Sequence, residues 1–134
     1  MSNNTTTDEA MIRELVEDWA KAVRVKDFNG ILANHSAEIL MFDVPPPLES
    51  KGIEAYRETW DLFYSAQPDP IAFDIQRMEI VAGADVAFVT ALMRCAEKGE
   101  NEERIKLDFR LTIGLRKING RWIILHEHHS VPAT

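Results

Sequence analysis

The chain has 134 residues, of which 46% are hydrophobic and 28% charged, a balance typical of one soluble globular domain rather than of a disordered or membrane protein. Its formal net charge of −7 argues against nucleic-acid binding, because phosphate backbones require a basic face. The single cysteine excludes an internal disulfide and a multi-cysteine zinc site, and the polar N-terminus shows no secretory signal. We therefore expect a cytoplasmic protein with no membrane partner.

The N-terminal region predicts two helices after a short tail. Residues 1–7 are polar and are expected to be disordered. Thr7 or Asp8 can cap the first helix, which carries acidic residues in its first turn and apolar residues at helical spacing. Asp27 can cap a second, short helix that ends near His35, and this histidine is most simply a residue at the helix end.

A strand and a third helix follow. Residues 37–44 alternate between apolar and polar side chains, which predicts a strand, and the three prolines at 45–47 end it because proline cannot extend a hydrogen-bonded ladder. After Gly52, apolar residues recur at helical spacing and predict a third helix that ends before Pro68.

The second half of the chain predicts four long strands, and no linker or repeat divides it. Glycine-containing or polar turns separate the strands, which are expected at residues 71–81, 85–97, 103–117 and 121–130. Helices that precede a run of antiparallel strands indicate an α+β fold, with the helices laid across one face of a curved sheet. We expect one domain over residues 8–134.

The strand before the last turn has two chemically different faces. Its odd-numbered positions from 107 to 115 are all apolar, whereas Asp108, Arg110 and Thr112 share the opposite face. The last strand ends in His126, Glu127, His128, His129 and Ser130, which include three of the four histidines of the chain. This end of the hairpin is where we expect chemistry.

The turn at Asn119-Gly120 leaves two hairpin registers open. A three-residue loop with a bulge would place Arg110 across from His128, and would gather the polar side chains of both strands on one face. A two-residue loop would instead place Arg110 across from His129. We prefer the first register and set His129 aside as a surface or interface residue.

The order of elements and two segments, VRVKDFNGILANHSAEILMFD and RLTIGLRKINGRWIILHEHHSVP, resemble the nuclear-transport-factor-2-like superfamily, and within it the SnoaL-like and ketosteroid-isomerase-like proteins. The resemblance covers nearly the whole chain. It implies a cone-shaped half barrel with a pocket between the concave sheet and the helices, assembled as a homodimer. It also implies work without a metal or other cofactor.

The resemblance assigns roles to three positions. Asp43 falls where ketosteroid isomerases keep their general base, at the end of the first strand. The tyrosine that donates to the oxyanion in those enzymes corresponds to Trp19, and their protonated acid corresponds to a position at or near Thr112. Since one oxyanion donor is typically worth about 3 kcal/mol, the two replacements argue against a ketosteroid isomerase itself.

The predicted site is a pocket with an apolar wall and a polar end. Asp43 would accept a proton or orient a histidine that accepts it, while Arg110 or a protonated histidine would stabilise a developing oxyanion. The candidate catalytic residues are Asp43, Arg110, His126 and His128. The candidate ligand-binding residues are Trp19, Tyr56, Trp60, Phe63, Asp108 and Thr112.

Each candidate also has a structural interpretation. Asp43 can accept backbone hydrogen bonds from the turn that follows it, and Asp108 and Arg110 can form ion pairs with neighbouring strands. The aromatic residues can be core. The spacing of His126 and His128 would suit a metal with an added carboxylate, but this spacing alone is weak, and we expect no metal.

Three classes of function remain open from the residues. The chain can be a cofactor-independent isomerase, dehydratase or cyclase that acts on a small, mostly apolar carbonyl compound. It can be a non-catalytic binder of a small apolar ligand, or a dimeric interaction module without chemistry. The sequence favours the first class.

Overall fold

The computed structural model describes residues 3–65, 72–98 and 104–133. Its elements in chain order are the helices α1 (Asn3–Arg24), α2 (Phe28–Leu32) and α3 (Ile53–Ser65), and the strands β1 (His35–Phe42), β2 (Ser50–Lys51), β3 (Phe73–Ala82), β4 (Val86–Lys98), β5 (Arg104–Ile118) and β6 (Arg121–Ser130). Within the described residues, no helix combines the length and the apolar character that a membrane span requires.

The predicted α+β architecture is confirmed. The six strands form one sheet in the order β2-β1-β6-β5-β4-β3, and every neighbouring pair is antiparallel except β1 with β6. The N-terminal helix packs on this curved sheet. We call the helix-covered side the inner face and the opposite side the outer face.

The elements differ most from the predicted ones in three places. Helix α1 begins at Asn3, so residues 3–7, which were expected as a disordered tail, lie in its first turns; no proline or glycine stops the helix there. Strand β1 begins at His35, which therefore belongs to the sheet rather than to a helix end. The two-residue strand β2, which pairs with β1, was not predicted because so short a segment has no periodicity.

The hydrophobic core lies between the helices and the inner face of the sheet. The odd-numbered apolar residues of β5 point into it, as hydrophobic burial requires, and Leu111 and Ile113 are at most 1% exposed. Helix α1 contributes Trp19 to this core and helix α3 contributes Tyr56 and Trp60, all of them buried.

The β5–β6 hairpin begins in the register of the two-residue loop, not in the preferred register of the three-residue loop. Asn119 and Gly120 both have positive φ, at 52° and 79°, and form a two-residue turn between Ile118 and Arg121. Farther along, Leu115 pairs with Ile124 but Gly114 pairs with His126, so Leu125 is an extra residue in a β-bulge.

The bulge reverses which side chains of β6 face the core. Without it, continuing the pairing of Leu115 with Ile124 would place His126 across from Ile113 and His128 across from Leu111. With it, the residues across from Ile113 and Leu111 are Glu127 and His129. The bulge therefore sends Glu127 and His129 to the inner face.

Candidate functional site

A cavity of about 360 Å³ opens on the inner face of the sheet, beside helix α3. This volume lies within the range of about 300–1,000 Å³ that is usual for small-molecule pockets. Its wall is mostly apolar and includes Met41, Trp60, Phe63, Phe73, Phe109 and Val131. The polar side chains in the wall belong to Asp43, Thr59 and His129.

His129 presents an imidazole to this cavity from strand β6. The residue is only 7% exposed, and its ring stacks on Phe109 with ring centroids 5.5 Å apart. The edges of Trp19 and Trp60 enclose it, with centroid distances of 6.2 and 6.1 Å. Nε2 lies 3.0 Å from Oε1 of Glu127. Packing and this hydrogen bond together fix the orientation of the ring.

Glu127 is a fully buried carboxylate with three hydrogen-bond partners. Besides His129, Nε2 of His35 lies 2.6 Å from Oε2, and the hydroxyl of Tyr56 donates to Oε2 at 2.8 Å. The Tyr56 oxygen in turn accepts a hydrogen bond of 3.0 Å from the indole nitrogen of Trp19. We call these five residues the inner polar cluster.

The cluster holds Glu127 ionised. Burial by itself would raise the pKa of a carboxyl group, but hydrogen bonds from His129 and His35, and the electrostatic attraction of these two rings, outweigh burial and lower the pKa of Glu127 to about 2. Burial and the adjacent Glu127 charge raise the pKa of Tyr56 well above its usual value. At neutral pH the cluster thus contains a carboxylate and a protonated phenol.

Asp43 lies at the rim of the same cavity, one residue after β1. Its Oδ1 accepts a hydrogen bond of 2.8 Å from the backbone nitrogen of Val44, and Val44 and Pro45 line the rim beside it. The structure therefore brings Asp43 together with Trp60 and Phe63, as the sequence suggested. It also shows the local backbone contact that was the structural alternative.

Two of the aromatic candidates lie behind the cavity rather than in its wall. Trp19 is 2% exposed and Tyr56 is completely buried, and neither is a lining residue. Both belong to the inner polar cluster, in which Tyr56 donates to Glu127 and Trp19 donates to Tyr56. The expectation that they contact a ligand directly is therefore corrected.

The polar face predicted for the cavity lies on the outer face of the sheet. His126 and His128 pair with Gly114 and Thr112 there, and they do not line the cavity. This face was expected in the cavity because the resemblance matches Thr112 to the protonated acid of ketosteroid isomerases, which lies in their active site. The apolar side of β5 is instead the side that the helices cover. The bulge then turns both histidines away from the core.

The charged residues on this outer face have partners there. Asp108 accepts two hydrogen bonds from Arg94, at 2.6 and 3.1 Å, so the structural alternative of an ion pair holds for this residue. Arg110 donates to the Ser130 hydroxyl at 3.2 Å. The proposed oxyanion partner Arg110 is thus on the wrong side of the sheet to act in the cavity.

The residues that sequence reasoning missed are His35, Glu127 and His129. Alternation along β5 indicates which of its residues face the core. A two-residue turn at Asn119-Gly120 also determines which residues of β6 pair with β5 next to the turn. The position of the extra residue in β6 has no such local signal. Within the described part of the chain, no group of three His, Cys, Asp or Glu side chains is arranged to hold a metal ion.

Comparison with known proteins gives a consistent family. A model of the SnoaL-like domain matches residues 12–134. A crystal structure of an NTF2-like protein of unknown function from Pseudomonas putida KT2440 is 34% identical, with a TM-score of 0.86 over 96% of this chain and 89% of that chain. No curated protein sequence matches.

More distant structures share the fold. A ketosteroid isomerase-like protein from Erwinia carotovora atroseptica is 17% identical, with a TM-score of 0.76 over 93% of this chain and 96% of that one. The association domain of C. elegans CaMKII is 18% identical, with a TM-score of 0.76 over 98% of this chain and 100% of that one. At these identities the similarity describes architecture alone.

Proposed function

Because the chain belongs to the SnoaL-like domain family, we propose that it binds a small, mostly apolar carbonyl compound and moves a proton on it without a cofactor. The observation that carries this proposal is the imidazole of His129, which lines an otherwise mostly apolar cavity and is held by the buried, ionised Glu127. A histidine fixed by a carboxylate is a common general base. The reaction class is an isomerisation, a dehydration or a related cyclisation.

In this proposal His129 takes over the role first expected of Asp43. The imidazole removes a proton from the carbon next to the carbonyl group and returns it at another carbon of the same molecule. The imidazolium formed in between is a cation beside the developing oxyanion. Asp43 lies at the rim, where it can accept a hydrogen bond from a polar group at the open end of the ligand.

A second candidate function is binding without chemistry. The hydroxyl of Thr59, one of the few polar groups in the cavity wall, already donates to the backbone oxygen of Tyr56 at 2.6 Å. Among the residues that the structure describes, the wall includes no arginine or lysine. An enzyme that stabilises an oxyanion usually supplies such a donor, so this wall also suits a carrier of an apolar ligand.

We also propose that the protein is a homodimer and that it is located in the cytoplasm. The outer face of the sheet exposes Phe88 and Leu92, at 48% and 41%, and a second copy would cover them. Light scattering coupled to size-exclusion chromatography tests the dimer, since a mass near 15.3 kDa would contradict it.

The proton-transfer proposal can be tested by isotope exchange. Small cyclic and aromatic ketones that raise the melting temperature are incubated with the protein in D₂O, and NMR follows deuterium entry next to the carbonyl group. We expect catalysed exchange that falls about 100-fold or more in His129→Gln and stays unchanged in His128→Gln. Bound ketones without catalysed exchange would favour the carrier function.

A further inference from the structure

Glu127 alone can hold the ring of His129 by a hydrogen bond, so the contact of a second histidine, His35, with Glu127 needs a separate explanation. Its side chain is fully buried between the start of β1 and strand β6. Its Nδ1 lies 2.8 Å from the backbone oxygen of Ala33, and its Nε2 lies 2.6 Å from Oε2 of Glu127. A carbonyl oxygen can only accept a hydrogen bond, so Nδ1 of His35 carries a proton.

The second nitrogen of His35 must donate as well. Tyr56 uses its oxygen to accept from the indole of Trp19, which leaves its O–H to donate to Glu127. Glu127 therefore accepts hydrogen bonds, and in the described part of the chain its nearest possible countercharge is His35, at 2.6 Å, compared with 3.0 Å for His129. A buried carboxylate is stable when an opposite charge is paired with it, so the proton between Nε2 and Oε2 belongs to His35.

This arrangement determines the state of His129. Its Nε2 faces Oε1 of Glu127, an acceptor, and therefore carries a proton. Because His35 already balances the charge of Glu127, His129 needs no second proton. Its Nδ1 has no hydrogen-bond partner among the residues that the structure describes, and is the ring nitrogen left for a molecule in the cavity.

We propose that His35 is a positively charged positioning residue that keeps His129 neutral, and that the cavity consequently takes neutral molecules whose polar end donates a hydrogen bond. The ligand class is an aromatic or alicyclic compound with a hydroxyl group, alone or beside the carbonyl group of the proposed substrate, since the O–H can donate to Nδ1. A carboxylate would meet a lone pair at His129 and the charges of Glu127 and Asp43. The ligand part rests on the cavity of the proposed function.

The protonation states can be read directly from the ring nitrogens by ¹⁵N NMR of the ligand-free protein at neutral pH. We expect both nitrogens of His35 to carry protons, and His129 to carry one at Nε2 only. A His35 with a single protonated nitrogen would overturn the proposal. This measurement needs no variant, no ligand and no activity.

A variant separates charge from packing. In His35→Gln the side-chain amide can still donate to Glu127 but brings no positive charge. The negative charge of Glu127 then favours a second proton on His129. We expect both nitrogens of His129 to become protonated, while His128→Gln, on the outer face, leaves His129 unchanged. An unaltered His129 in a folded His35→Gln protein would show that His35 has a structural role only.

The ligand class is tested with three matched probes, 2-naphthol, 2-methoxynaphthalene and 2-naphthoate, by calorimetry. For the natural chain we expect 2-naphthol to bind about tenfold or more tightly than either of the others, which is the effect of one added hydrogen bond. In His35→Gln the imidazolium of His129 should reverse the preference towards 2-naphthoate. Equal or tighter binding of 2-naphthoate by the natural chain, or no binding of any probe, would overturn the ligand class.

These results are distinguishable from failure of the proposed function. If 2-naphthol is preferred and no ketone exchanges deuterium, the protonation assignment holds and the protein is a carrier. If exchange occurs and 2-naphthoate is preferred, the chemistry holds and the assignment of His35 is wrong.

Discussion

The two faces of strand β6 carry similar residues in very different environments. On the inner face, Glu127 is completely buried and His129 is 7% exposed, and each is tied to the other by a hydrogen bond. On the outer face, His128 is exposed, and its ring contacts Phe42 and the partly buried His126. The comparison teaches that residues adjacent in sequence form two separate sets in space, one buried at the cavity and one on the outer face of the sheet.

The buried polar groups on the inner face are stabilised by hydrogen bonds and charges that they supply to one another. A buried ion without its partners costs several kcal/mol, whereas the same group at the surface is stabilised by water. The inner side chains are therefore expected to respond as one unit to substitution, and the outer side chains individually and weakly. The following predictions run from the largest expected effect to the smallest.

The largest loss is expected for Glu127→Gln. Removal of the carboxylate leaves the buried His35 without a countercharge, and breaking a buried ion pair in this way typically costs about 3–5 kcal/mol. Urea unfolding measures the change in the free energy of unfolding. Glu38→Gln, an exposed carboxylate on β1, is the matched control and should change it by less than about 0.5 kcal/mol. Similar losses for both would remove the distinction between the faces.

The stability of the natural chain should fall at acidic pH because of Glu127. Its pKa is lowered from 4.5 to about 2 by folding, so the carboxylate contributes stability above the higher value and loses this contribution as the pH falls through the lower one. A shift of this size corresponds to about 3 kcal/mol. Urea unfolding at pH 6 and at successively lower pH should show a steeper decline for the natural chain than for Glu127→Gln; parallel declines would contradict the assignment.

Tyr56→Phe should cost about 1–3 kcal/mol, because the buried indole N–H of Trp19 loses its acceptor and Glu127 loses a donor. Tyr64→Phe is the control, since its half-buried hydroxyl makes one hydrogen bond, to the backbone oxygen of Val23. Thermal and urea unfolding of both variants give the comparison. A larger loss for Tyr64→Phe would mean that the inner polar cluster is not cooperative.

The smallest effect is expected for His128→Gln. This side chain is exposed on the outer face, and surface substitutions usually change stability by less than about 0.5 kcal/mol. The melting temperature and the affinity for any cavity ligand should both stay near those of the natural chain. A clear loss of ligand affinity would show that the outer face contributes to ligand binding and would contradict this prediction.

Much of the fold could be predicted from local patterns. Alternation along β5, the Asn119-Gly120 turn and the helical spacing before Pro68 reflect burial and backbone preferences that act within a few residues. The position of Asp43 at the end of the first strand was instead implied by the resemblance to ketosteroid isomerases, since the local pattern predicted a strand that continues to residue 44. These features predict the elements of the fold, but they did not show which face of β5 lines the cavity.

The chemistry of the cavity could not be predicted in this way. The bulge at Leu125 coincides with an irregularity of β1 between His35 and Leu40, so it depends on two strands far apart in the chain. The bulge places Glu127 on the inner face, where it contacts His35, and the periodicity of neither strand predicts this contact. A shift of one residue was enough to exchange His126 and His128 for Glu127 and His129.

The parallel pairing of β1 with β6 also determines at which stage of folding the inner polar cluster can form. The contacts of Glu127 bridge 71 residues to Tyr56 and 92 residues to His35. Loops of this length close late in folding, because their entropy must be lost before the contact forms. During synthesis the cavity therefore lacks Glu127 and His129 until β6 has left the ribosome, and we expect that fragments which end before β6 do not bind the ligands of the cavity.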